Sequence, residues 1–152
     1  MSQLGNLGVD FSNLPNILVE YMDALDKAPE ILNIKNKTLE IAHKEQCSWI
    51  VYYDERRVEL KTLIKYLTLN VNKVRGKLVR HFNENHSRGL GERLINSYID
   101  ADNEYIKAQE LLLEVEELYE KYAAVVEAFN KRGFALRDIT LARVHDVGTS
   151  AI

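Results

Sequence analysis

The chain has 152 residues, 46% of them apolar and 28% charged, with a formal net charge of −3 and a pI near 5.8. That balance excludes global disorder, and it excludes a nucleic-acid binder whose basic charge is spread over its whole surface, so any such activity must come from a local patch. The single cysteine, Cys47, rules out an internal disulfide framework and fits a reducing compartment; nothing resembles a signal peptide, and no apolar run approaches the roughly 20 residues of a membrane span.

Two prolines, seven glycines and a sustained period near 3.5 residues predict an all-α protein. Residues 1–12 carry Gly5 and Gly8 and little charge, and read as a flexible arm. Asn13 suits an N-cap, Pro15 suits the first turn, and Ile17, Leu18, Tyr21, Met22 and Leu25 give an amphipathic helix over 14–27 that Pro29 ends or interrupts. A short connector with Ile31, Leu32 and Ile34 follows. Asn36 is the expected N-cap of a long helix over 36–83.

The second half of that helix organises the chain. Leu60, Ile64, Leu67, Val71, Val74, Leu78 and His81 alternate at steps of four and three, a seam that wants partner helices. Lys73, Lys77 and Arg80 lie off that seam, stacked at i, i+4 and i+7. Between Lys73 and Arg93 six cations stand against two carboxylates, a local charge of +4. Gly76 interrupts the helix at a cost of about 1 kcal/mol relative to alanine, and it would let a backbone or a phosphate approach closely.

Asn83 to Gly91 is a turn-rich break, so the chain doubles back as a helical hairpin. The return helix, over 92–131, sets Leu111, Val115, Leu118, Tyr122, Val125 and Phe129 on one seam, with Leu112, Tyr119 and Val126 beside it. This face is wider than one partner helix needs, and other subunits are expected to cover it. Asp100 to Lys121 holds eight carboxylates against two lysines, a solvated face or a surface complementary to a neighbour's cations. Gly133 is the expected helix C′ residue, a short helix over 134–145 follows, and the last residues fray. Residues 13–148 then form one helical domain.

No catalytic constellation emerges, and the reading is of a protein that is not an enzyme. Arg88-Gly-Leu-Gly-Glu92 lacks the lysine and the preceding strand of a phosphate loop. His43, His81, His86 and His145 have no metal-ligand spacing with Cys47 or with one another, so neither a metal nor a cofactor is expected. His81, on the seam, reads as a packed histidine. What remains is the basic stretch, with Tyr66, His81 and Phe82 among or beside its cations. Cations that neutralise phosphates, with rings on which unpaired bases stack, suit single-strand binding; core packing is the competing account of Tyr66 and Phe82.

Ala128-Phe-Asn-Lys-Arg-Gly-Phe-Ala-Leu-Arg-Asp-Ile-Thr-Leu-Ala-Arg143 resembles the C-terminal segment of the UvsY family of phage recombination mediators, with Arg132-Gly-Phe-Ala135 as the most specific part. Ala101-Asp-Asn-Glu-Tyr-Ile-Lys107 resembles the start of that family's return helix, and Val74-Arg-Gly-Lys-Leu78 its basic motif. The resemblance spans about Leu14 to Gly148. It implies a ring-like homo-oligomer, a hexamer or heptamer, acting in the cytoplasm of an infected bacterial host. Such a mediator binds single-stranded DNA and helps a RecA-like recombinase displace single-strand-binding protein. The family's DNA-binding cations fall on Arg75 and Lys77, in exchanged order, which keeps the charge and alters any bidentate phosphate contact. With the neighbouring cations the expected DNA-binding set is Lys73, Arg75, Lys77, Arg80 and Arg88. The family's assembly segment falls on Arg132, Gly133, Phe134 and the apolar residues after it, Ile139 included. The alternative is a structural helical oligomer, an assembly factor without DNA binding, whose basic end meets an acidic protein.

Overall fold

The computed structural model describes residues 11–86, 89 and 91–149. They form four α-helices and no strand: α1 (Leu14–Leu32), α2 (Leu39–Asn85), α3 (Glu92–Asp100) and α4 (Asn103–Thr149). None of these helices is long and apolar enough to cross a membrane. The described residues divide into two compact units, one of residues 11–59 and 118–149 and the other of residues 60–117.

The first unit is built on tyrosines. Tyr53 stacks on Phe129 with centroids 5.4 Å apart, and Tyr122 lies against both Tyr53 (5.8 Å) and Tyr21 (5.7 Å). All four rings are buried, so the three tyrosine hydroxyls must find acceptors. Tyr53 donates to the Ala24 carbonyl (2.8 Å), Tyr122 to the Tyr21 carbonyl (2.9 Å), and Tyr21 to the Glu59 carboxylate. All three bonds anchor α1, whose inner face is Leu14, Ile17, Leu18, Tyr21, Ala24 and Ala28. That anchorage accounts for a difference from expectation. Pro29 does not end α1, which runs one further turn to Leu32 and closes with the Asn33 amide on the Glu30 carbonyl (3.2 Å). Asn13 stands at the N-cap position, but its side chain accepts from Asn16 (3.0 Å) rather than from the backbone.

α2 starts three residues later than expected, for a local reason. Asn36 adopts a left-handed conformation (φ 65°), which asparagine tolerates better than most residues, and so belongs to the turn. Thr38 takes the capping role, its hydroxyl accepting from the Ile41 amide (3.3 Å). From there α2 is continuous to Asn85, through Gly76.

In the second unit the expected seam of α2 is the core. Leu60, Leu67, Val71, Val74 and Leu78 are buried, with Leu63 beside them, and Ile64 is half-buried. Val74 and Leu78 cluster with Ile95 and Ile99 of α3, and Val79, Phe82 and Tyr105 pack against that cluster. The return segment, expected as one helix over 92–131, is broken at Ala101-Asp102. Asp102 Oδ1 accepts the amides of Glu104 (2.9 Å) and Tyr105 (3.2 Å), an N-cap that starts a new helix. The break makes α3 a separate nine-residue element.

Gly133 does not end a helix, and residues 134–145 are not a separate one: α4 passes through both to Thr149. A side chain at Gly133 would put its Cβ 3.0 Å from Gln46 Nε2. The glycine is explained by close approach of a neighbour rather than by helix termination.

Candidate nucleic-acid interface

The basic face of α2 is set by helical geometry. Lys73, Gly76, Lys77 and Arg80 are three or four residues apart, and all four are exposed. Apart from its chain neighbours and its own helix backbone, no atom of the described residues lies within 4 Å of where a Cβ on Gly76 would stand, so a bare strip of backbone opens between three cations. Lys77 makes a long ion pair with Glu104 (3.4 Å), with 69% of its side chain still exposed. An exposed pair at that distance contributes little and exchanges readily for a stronger anion.

Arg75 differs from its neighbours. It is half-buried, and its guanidinium donates to Asn96 Oδ1 (2.8 Å) and, at 3.5 Å, to the Tyr105 hydroxyl. A planar fork held by two neutral acceptors, one from α3 and one from α4, ties those helices to α2. Of the five cations assigned to DNA, the structure brings Lys73, Lys77 and Arg80 onto one open face and engages Arg75 within the fold. Arg88 lies outside the described residues.

Beyond Lys77 the cations border a shallow groove lined by Lys77, Leu78, Arg80, His81, Phe82, Glu84 and Asp102. His81 is exposed rather than packed: its ring meets the Phe82 edge at 5.5 Å, and Asn85 Nδ2 lies 3.0 Å from its Nδ1. The seam runs out at the turn, leaving no helix for His81 to pack on. Phe82 is half-buried and stacks on Tyr98 of α3 (5.5 Å, 28°); Tyr98 in turn lies nearly parallel to His86 (6.4 Å, 8°). Tyr98 is 44% exposed. Sequence reasoning missed Tyr98, which α3 brings to Phe82, and His86, which lies four residues after Phe82 at the end of α2. The i, i+4 spacing of Phe82 and His86 was a signal for His86; none marked Tyr98. Tyr66, 56% exposed, is not a core residue.

The residues assigned to assembly fall into two groups. Val115, Leu118, Tyr122 and Phe129 are buried within this chain, and Leu111, Val125, Gly133 and Ile139 are half-buried. The wide face of α4 that seemed to need other subunits is covered largely by the chain's own helices; in the first unit α1 supplies part of that cover. Arg132 is buried too, donating to Gln46 Oε1 (2.5 Å) and the Ala42 carbonyl (3.4 Å). Desolvation lowers its pKa from the usual arginine value, partly opposed by the Glu45 charge, and its Nε and Nη2 have no partner among the described residues. Gln46 completes the node by donating to the Phe129 carbonyl. Phe134 is exposed, as are Leu141, Val144 and Val147 further along α4.

Compared with known proteins, the chain matches no family model, no curated protein sequence and no solved structure.

Proposed function

We propose that this chain is a single-strand DNA-binding recombination mediator that works as a homo-oligomer. The observation that carries the DNA-binding part is the open face of Lys73, Lys77 and Arg80 around the exposed backbone at Gly76. Three cations on one helix face, without a buried carboxylate among them, suit a phosphate backbone. The net charge of −3 makes one copy a weak binder, whereas copies arrayed together convert each later contact into an intramolecular one. Self-association is supported by the exposed apolar row Phe134, Leu141, Val144 and Val147 at the end of α4. The mediator role, with a RecA-like recombinase and single-strand-binding protein as partners, rests on the resemblance of segments 74–78, 101–107 and 128–143 to the UvsY family.

The test is single-strand binding measured across a salt series. Lys77→Ala with Arg80→Ala is expected to weaken binding and to flatten log K against log salt by about 1.4, some 0.7 per cation lost. Arg75→Ala should instead lower the melting temperature, because Asn96 and Tyr105 lose their donor. Normal binding by the Lys77/Arg80 double variant at every salt concentration would remove this face from the interface. The mediator role is tested by adding the protein to a RecA-like recombinase on strands coated with single-strand-binding protein. Faster filament assembly is the expected result, and no change would leave a DNA-binding oligomer without that role.

A further inference from the structure

Tyr98 and His86, stacked at the end of the basic face, have no account in phosphate binding or in core packing. The rings that make the core of the first unit, Tyr53, Tyr122 and Phe129, are fully buried, whereas Tyr98 leaves nearly half of its surface in water. It is not a loose surface residue either. Phe82 stacks on it at 5.5 Å and is itself held against the Val74, Leu78, Ile95 and Ile99 cluster. His86 lies 8° from parallel to it. The Phe82 end of the array lines the groove that Lys77 and Arg80 border. An exposed flat ring, stacked on a packed neighbour that itself lines the cation-bordered groove, has the construction of a base-stacking surface.

We propose that Phe82, Tyr98 and His86 form a stacking platform that receives an unpaired nucleobase, with Tyr98 as the contacting ring. The proposal rests on the single-strand reading of the adjoining cations and deepens it by assigning the part of the ligand that the cations do not touch. Phosphate contacts alone accept single and double strands alike, because both carry the same charged backbone. A duplex has its base faces occupied by neighbouring pairs, so only an unpaired strand can offer one to Tyr98. The platform confers preference for single strands, without preference among bases, since every base has a π-face.

The experiment compares two labelled strands of about twenty nucleotides, one bearing bases and one wholly abasic, matched in length and charge. The full chain is titrated into each by fluorescence anisotropy. The native protein is expected to bind the base-bearing strand more tightly. Tyr98→Ala should lose roughly 5- to 100-fold on that strand, with little change on the abasic one and the same salt dependence. Tyr98→Phe should keep the preference. Tyr98→Leu, which retains apolar contact with Phe82 but offers no flat face, should behave as the alanine variant does, so loss of packing is separated from loss of stacking. Equal binding of both strands by the native protein, or an equal loss on both in Tyr98→Ala, overturns the platform and leaves the charged interface standing. Failure of the native protein to bind either strand at low salt overturns both.

Discussion

Gly76 and Gly133 both lie inside long helices, and their surroundings give them opposite roles. Gly76 faces open space, so Gly76→Ala should raise stability by about 0.5–1 kcal/mol through helix propensity alone. Gly133 faces Gln46, which cannot move aside without giving up its bonds to the Phe129 carbonyl and to Arg132. Gly133→Ala should therefore destabilise the protein by about 1–2 kcal/mol in urea unfolding, despite alanine's better propensity. In a Gln46→Ala background most of that loss should disappear; a cycle with no coupling would dismiss the contact as the reason for the glycine. The role of Gly133 is not legible in sequence, where a glycine before an apolar segment resembles a helix end. What separates the two is a side chain 87 positions earlier in the chain.

At the level of elements, periodicity was a good guide and capping read from sequence a poorer one. The seam from Leu60 to Leu78 was legible because five buried positions repeat at helical spacing within one helix. Two of the missed boundaries turn on one polar side chain each: Thr38 instead of Asn36 at the start of α2, and Asp102 between α3 and α4. An aspartate amid many acids gives no special signal until its bonds to two amides are seen. The tyrosine cluster joining α1, α2 and α4 leads to a prediction about pH. Burial pushes the Tyr21, Tyr53 and Tyr122 hydroxyls above the ordinary tyrosine value of 10.0, and the Glu59 carboxylate adds to the effect at Tyr21. The folded state therefore keeps protons that the unfolded chain releases. Stability should be full below pH 10 and fall as pH rises beyond it, by about 1.4 kcal/mol per pH unit for each such group. Chemical unfolding at several alkaline pH values measures this slope. Tyr122→Phe should flatten it by one proton, while costing about 1 kcal/mol at neutral pH through loss of the bond to the Tyr21 carbonyl. An unchanged slope in that variant would mean that Tyr122 titrates alike in both states.

For the whole molecule, charge and assembly are linked by one requirement: an acidic chain with a small basic face needs several copies to hold a strand firmly. In sedimentation, Leu141→Asp with Val144→Asp is expected to shift the proposed oligomer towards single subunits, because both residues are exposed and the change leaves the core intact. Tyr122→Phe, a core change, should not. An unaltered oligomer in the aspartate variant would remove the end of α4 from the interface. The burial of Val115, Leu118, Tyr122 and Phe129 within the chain itself was not legible in the sequence. Sequence identifies an apolar face but not which helix covers it; here the tyrosine-anchored packing of α1 supplies part of the cover.

The lone tryptophan of the chain, Trp49, sits half-buried beside Tyr52 and Tyr53, within the unit of residues 11–59 and 118–149. Its emission is therefore a built-in optical probe of that unit, whereas far-ultraviolet dichroism records helix melting throughout. When both signals are followed in the same denaturant titration, coincident midpoints mean that the two units lose their structure in concert, and separated midpoints mean that one outlasts the other.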